Sequence, residues 1–232
     1  MRGGAFAPGL EAQHRRLDAD DYDNIYVVGD VHGCRTTAER LLQRLDPAPT
    51  ELVVFVGDLV RRGPDSPGVV DLVRSRPNLL SIRGNNEEKI IEGRRPPEGL
   101  DADDVRWLRS LPAIVSWDDT VVLHGGVDPA RPRQEHTQSD IQNTESLAPD
   151  GDGRPFWWER YDGPERIYFG HKVLSRPYVG DHAVGLDTGC VYGGALTAYD
   201  CTNDRTISVD ADRAYKQRAA RKFLDPYEST AV

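Results

Sequence analysis

An α/β fold with a parallel sheet is what this sequence predicts. Over residues 25–85 apolar strand-like runs alternate with amphipathic helical stretches, and each run stops at a glycine followed by an acid or an amide. Ile25–Val28 is the first run and ends at Gly29-Asp30. Thr36–Leu45 follows as a helix, with Ala38, Leu41, Leu42 and Leu45 on one face. Leu52–Val56 is the second strand and ends at Gly57-Asp58. Ser66–Arg76 is a second helix through Val69, Val70 and Val73, and Asn78–Ile82 is a third strand ending at Arg83-Gly84-Asn85.

The second half has a different rhythm. Ala113–Trp117 and Thr120–Leu123 flank Asp118-Asp119 and read as a hairpin that delivers His124-Gly125-Gly126. Residues 128–155 are polar and read as a long loop or cap. Ile167–Phe169 before Gly170-His171, Ala183–Leu186, Ala195–Tyr199 and Thr206–Val209 suggest a mostly antiparallel second sheet. Residues 1–23 have no steady apolar period and read as a flexible N-terminal extension. The organised domain is expected over 24–211, with a charged tail over 212–232 that could form a helix.

Composition bounds the function. The chain has 232 residues, 38% hydrophobic and 29% charged, with a net charge of −9. Its apolar runs are far shorter than the roughly 18–20 residues a membrane span needs, so no membrane association is expected. The N-terminal stretch lacks the apolar core of a secretory signal. Cys34, Cys190 and Cys201 form neither a disulfide framework nor a zinc spacing, and a reducing cytoplasm is the expected compartment. The acidic balance argues against binding to a nucleic-acid duplex. Arginines outnumber lysines 25 to 4, so an anion clamp here is expected to be a guanidinium.

Ligand sites in α/β sheets lie at the carboxyl ends of strands. Three predicted strand ends carry Asp30 and His32, Asp58, and Asn85, and two later ones carry His124 and His171. This mixture of oxygen and nitrogen donors suits divalent Mn first, with Fe or Zn as alternatives. A shared carboxylate such as Asp58 could hold two ions about 3.5–4 Å apart. Each fragment alone is ordinary turn chemistry; the ordered series at strand ends carries the weight.

The set GDVHG (29–33), GDLVRRG (57–63), RGNNE (83–87), HGG (124–126) and GH (170–171) resembles the phosphoprotein-phosphatase branch of the calcineurin-like metallophosphoesterases. The resemblance spans about 25–200, and VGLDTGCVYGGALTAY (184–199) is most similar to small bacterial serine/threonine phosphatases and symmetrical diadenosine-tetraphosphate hydrolases. It implies a four-layer αββα sandwich with two mixed β-sheets flanked by helices. It implies one ion on Asp30, His32 and Asp58, and a second on Asp58, Asn85, His124 and His171. Arg62 would grip the substrate phosphate, and hydroxide held between the ions would attack phosphorus.

Two positions depart from the family pattern of GDxVDRG and GNHE. Arg61 stands where the family has aspartate, and Asn86 where it has the histidine that protonates the leaving group. A general acid typically supplies about 10²–10⁴ in rate. Its loss is felt most by an alkoxide and least by a low-pKa phosphate or nucleotide. The expected shift is therefore away from alkyl monoesters and toward anhydrides, aryl esters or diesters, with Arg61 as a second cation for a substrate of several phosphates. His136 and His182 are candidates for a replacement acid. Trp157, Trp158 and Tyr161 fit either a nucleobase platform or core packing, and Cys190 reads as a buried thiol. The expected substrate is a phosphorylated small molecule, such as a dinucleoside polyphosphate, or a phosphoprotein. The alternatives are a nucleotide phosphodiesterase and a metal-binding pseudo-phosphatase that acts as a binding protein.

Overall fold

Side chains alternate across a strand, and that alternation builds the architecture. The computed structural model describes residues 5–151 and 153–228. The chain enters through α1 (Pro8–Glu11) and β1 (His14–Arg16), then runs β2 (Ile25–Val28), α2 (Arg35–Leu45), β3 (Leu52–Phe55), α3 (Ser66–Arg74) and β4 (Leu79–Ser81). It continues through α4 (Asn85–Ile91), α5 (Ala102–Ser110), β5 (Ile114–Trp117), β6 (Thr120–Val122) and α6 (Gln138–Asn143). The last strands are β7 (Arg166–Phe169), β8 (Tyr178–Val179), β9 (Ala183–Gly185), β10 (Ala195–Asp200) and β11 (Arg205–Asp210).

Two mixed sheets result, in the orders β11-β10-β2-β3-β4 and β1-β5-β6-β7-β9-β8. Val27 and Val54 face the other sheet, where they meet Val115, Val122, Tyr168 and Val184. Their neighbours Tyr26, Val28, Val53 and Phe55 face outward onto Ala38, Leu41, Val69 and Val73 of α2 and α3. The outer face of the second sheet packs Ile114, Val121, Ile167 and Phe169 against Leu10, Ile141 and Trp157. The order of layers is helix, sheet, sheet, helix, as the resemblance implied. Truncating a fully buried side chain such as Leu41 to alanine is expected to cost about 2–5 kcal/mol.

Four expectations need correction. The later strands do not form one mostly antiparallel sheet. β10 and β11 join the first sheet beside β2, while β1–β5, β6–β7 and β7–β9 pair in parallel. Strands buried on both faces read as plain apolar runs, which carry no sign of direction. Residues 5–23 are not a loose extension: Phe6 and Leu10 are buried, and His14–Arg16 pairs with Ile114–Ser116. Within the expected loop 128–155, Thr137 and Asp140 cap α6 reciprocally, each side chain meeting the other's backbone N–H. In the tail, the helical structure among the described residues is limited to a 3₁₀ turn at Ala220–Lys222, and isolated bridges join Ala214 to Tyr192 and Leu224 to Leu174.

Candidate metal centre

The carboxyl ends of β2, β3, β4, β6 and β7 converge at one end of the sandwich and bring all six predicted ligand residues there. The backbone is strained to achieve this. His32, Asp58 and His171 sit at φ of 51°, 50° and 67°, and Arg61 and Arg62 both at 71°. Left-handed backbone is uncommon outside glycine and clusters at functional sites, where surrounding structure must hold it.

Asp58 lies at the middle. Its Oδ2 is 3.6 Å from His32 Nε2, and its Oδ1 is 3.4 Å from His124 Nε2. The same His32 nitrogen is 3.7 Å from Asp30 Oδ2. Asp30, His32 and Asp58 each offer a donor atom within 4.8 Å of the others, which is a cage for one ion. On the far side of Asp58, the His124 and His171 rings stand 5.2 Å apart, centre to centre. Asn85 Nδ2 contacts His171 Nδ1 at 3.2 Å and donates to Asn143 Oδ1 at 3.0 Å, so its oxygen faces the other way.

Backbone carbonyls fix the histidines. His32 Nδ1 donates to Val60 O at 3.2 Å, and His124 Nδ1 donates to Val56 O at 2.8 Å. In the neutral rings this directs the lone pair onto Nε2, the atom that faces Asp58. Arg62 Nη1 donates to His32 Nε2 at 3.1 Å and to Tyr192 Oη at 2.7 Å.

Charge in the centre is unbalanced without a cation. Asp30, Asp58, Glu87 and Asp187 are all buried. Burial, and then the nearby Asp187 carboxylate, hold Asp30 well above the usual carboxylate range. Burial pushes Asp187 up to about 6 and, with help from Asp58, Glu87 up to about 7. Burial also acts on Asp58, but the His124 and His32 rings outweigh it and hold that carboxyl well below its ordinary value. Burial would lower His124, yet Asp58 raises it to about 10. Burial lowers His32 to about 4, and burial with the His124 charge lowers His171 to about 3. His124 Nε2 and Asp187 Oδ2 are buried and have no hydrogen-bond partner among the described residues. Buried charges are stable when paired or on a metal, so orphaned donors among clustered carboxylates fit a divalent cation.

The two departures from the family pattern touch each other. Arg61 Nη1 donates to Asn86 Oδ1 at 2.6 Å, and Arg61 Nε lies 3.5 Å from Glu98 Oε1. Arginine can only donate, so the amide face toward Arg61 is the oxygen and the NH₂ points inward. That NH₂ donates to Asp58 Oδ2 and, at 2.9 Å, to Asn85 Oδ1. The Asn86 backbone N–H adds a bond to Asp58 Oδ1 at 2.9 Å.

Glu87 was missed as a functional position. It is fully buried, and its carboxylate accepts from the N–H groups of Asp58 and Gly84, both at 2.8 Å, and of Val60 at 3.2 Å. It ties the loop after β3 to the start of α4. The signal was a glutamate three residues after the Gly84 cap, the spacing of a capping box. Asp187 and Tyr192 also reach the centre and lay unassigned in a strand–turn motif.

Other candidates resolve. His136 accepts from Asp128 N at 2.9 Å and contacts Pro132 O at 3.2 Å, so both ring nitrogens are used inside its own loop. His182 precedes β9, at the opposite end of the parallel strands from the centre. Neither is placed to act as the replacement acid that the sequence suggested. Trp157 and Trp158 are buried against Phe156 and Phe169, and Trp157 Nε1 donates to Gly125 O at 3.1 Å, so they are core. Cys190 is buried, and its contact to Cys34 together with burial pushes its thiol up and keeps it protonated.

Residues 24–188 match the family described as calcineurin-like phosphoesterase. The chain belongs to that family. It is 28% identical to a symmetrical bis(5'-nucleosyl)-tetraphosphatase of Janthinobacterium sp. (strain Marseille), covering 82% of this chain and 97% of the other. It is equally 28% identical to serine/threonine-protein phosphatase 1 of Salmonella typhimurium, covering 81% and 96%. A crystal structure of a putative diadenosine tetraphosphatase superposes with a TM-score of 0.77 at 29% identity, covering 86% of this chain and 98% of that one. No helix among the described residues is long and apolar enough to cross a membrane.

Proposed function

We propose that this calcineurin-like phosphoesterase is a two-metal hydrolase that prefers phosphoanhydrides, of the dinucleoside polyphosphate type, to alkyl phosphomonoesters. The observation that carries the reading is Asp58, whose two oxygens face two different histidines. Asp30, His32 and Asp58 would hold one ion, and Asp58, Asn85, His124 and His171 the other. Mn²⁺ suits the donor set, with Fe or Zn²⁺ as alternatives. When bound, such a pair supplies Lewis acidity and an activated water for in-line displacement at phosphorus.

The chain's own residues do the rest. Val60 O and Val56 O orient His32 and His124. Arg62 stands beside His32, where its planar fork can take two oxygens of the transferring phosphoryl group. Asn86 has no titratable proton to give. It aims its NH₂ at Asp58 and Asn85 and fixes two proposed ligands, while Arg61 holds the amide from behind. As the P–O bond breaks, the leaving oxygen receives no proton from this pair. A phosphate or nucleotide leaving group tolerates that, and an alkoxide does not. The similarity to both a tetraphosphatase and a protein phosphatase leaves both substrate classes in the family's range, and the Arg61–Asn86 pair favours the anhydride.

A hydrolysis panel with added Mn²⁺ tests this: diadenosine tetraphosphate, a phosphoserine peptide, and para-nitrophenyl mono- and diesters, each against Asp58→Asn. Turnover led by the tetraphosphate and lost in the variant supports the reading. Mn²⁺ binding without turnover of any substrate would replace it with a binding protein.

A further inference from the structure

The family match ends at residue 188, and the segment beyond β11 lies outside it. That segment is laid across the rim of the metal centre. Ala211 N donates to Gly194 O at 2.8 Å, and Tyr215 N and Lys216 N donate to Val191 O at 3.0 and 3.1 Å. Farther on, Leu224 N donates to Val173 O at 3.1 Å, two residues past His171, and Ser175 N returns a bond to Leu224 O at 2.8 Å. The Phe223 ring meets the Tyr192 ring edge-on at 6.4 Å. The strap is therefore anchored on both sides of the 189–194 turn.

Its charge opposes that of the molecule. Arg213, Lys216, Arg218, Arg221 and Lys222 lie within ten residues that contain no acid, in a chain of net charge −9. One of these cations reaches the centre's own arginine through a shared ring. The Arg218 guanidinium lies 5.0 Å from the Tyr192 ring centre, and the Arg62 guanidinium 5.8 Å from the same centre. Tyr192 Oη accepts from Arg62 at 2.7 Å. Arg218 is half-buried, and its Nε donates to Lys222 O at 3.1 Å, which holds the side chain within the strap. No carboxylate is paired with Arg218 among the ion pairs of the described residues, whereas Arg61 is engaged by Asn86 and Glu98.

We propose that Arg218, carried by this strap and stacked on Tyr192, forms a second anion subsite beside Arg62 that binds the distal phosphates of a substrate with two or more phosphoryl groups. This rests on the two-metal hydrolase reading and adds, from a residue beyond the matched domain, a binding preference for polyphosphate to the leaving-group preference set by Arg61 and Asn86. It also moves the second-cation role from Arg61, as the sequence suggested, to Arg218.

The test compares wild type with Arg218→Gln. Steady-state kinetics are measured on diadenosine tetraphosphate and on para-nitrophenyl phosphate, with thermal melts to confirm folding. One lost charge-assisted contact is expected to raise KM for the tetraphosphate about 5–10-fold. The KM for the monoester and both kcat values should stay within about 2-fold. Arg218→Lys should recover part of the loss, because the charge remains while the stacking fork does not. An equal change on both substrates, or none on the tetraphosphate, would overturn the assignment. Binding of inorganic tripolyphosphate and orthophosphate without divalent cation, read by calorimetry, separates the two proposals. If wild type fails to hydrolyse the tetraphosphate, the functional reading falls, yet selective loss of tripolyphosphate binding in Arg218→Gln still supports the subsite. Unchanged tripolyphosphate binding removes it.

Discussion

Arg61 donates to the side-chain oxygen of Asn86 at 2.6 Å, and Asn86 passes its own NH₂ to Asp58 and Asn85. Two residues that depart from the family pattern thus form one contact. In the proposed function the pair stands in place of an acid and its orienting partner, and it fixes a carboxylate instead of donating a proton.

Restoring the family pair should restore the acid. The double variant Arg61→Asp with Asn86→His is expected to raise kcat on a phosphoserine peptide by about 10²–10⁴-fold, with much less change on diadenosine tetraphosphate. Either single substitution should fall well short, because each leaves the other residue without its partner. The comparison of the four proteins on both substrates decides it; equal gains on both would mean that leaving-group protonation does not separate them.

Removing the amide should weaken metal binding before it weakens the fold. Asn86→Ala frees Asp58 and Asn85 and leaves Arg61 facing an empty space. Loss of such an orienting partner is expected to lower Mn²⁺ affinity by about 10–100-fold. Titration calorimetry measures this, and unchanged affinity would show that Asp58 needs no such support.

Metal binding should release protons. His32 and His171 have values of about 4 and 3 and are already neutral at pH 7, so they contribute none. His124, raised to about 10 by Asp58, is protonated in the metal-free chain and must lose its proton to offer Nε2. Protonation competes with the ion below that value, so apparent affinity should climb with pH, by about tenfold per unit for one proton, between pH 6 and 9. Asp30, held well above its ordinary value, adds to the release in the same direction. Calorimetry in two buffers of different ionisation enthalpy counts the protons; zero released at pH 7 would contradict the account.

Glu87 should matter for stability. Glu87→Ala strands the buried N–H groups of Asp58, Val60 and Gly84, each at a cost of about 1–3 kcal/mol. Denaturant unfolding should show a loss of several kcal/mol, while an exposed neighbour such as Glu92→Ala should change little.

Much of the candidate centre was legible before the structure because its residues follow strand ends, and strand ends are marked by apolar runs that stop at glycine. Asp30, His32, Asp58, Asn85, His124 and His171 lie near one another at those strand ends. What stayed hidden depends on distance in the chain. Sheet direction was lost because strands covered on both faces, such as β10, show no alternation, so β10 and the edge strand β11 that follows it could not be assigned beside β2. β1 escaped because its His14–Arg16 face is polar and its pairing partner lies about a hundred residues on. The direction in which Arg61 points depends on Asn86 across 25 residues, and Arg218 reaches Tyr192 only because the strap folds back. No local pattern encodes either contact.

A single titration of metal-free protein with Mn²⁺ tests the central claim, reading ions bound per chain and rate of diadenosine tetraphosphate hydrolysis in the same samples. Two ions per chain are expected in wild type, with hydrolysis rising as the second binds, and no more than one ion and no hydrolysis in Asp58→Asn. Full activity with one ion bound, or two ions bound with no hydrolysis, would contradict it.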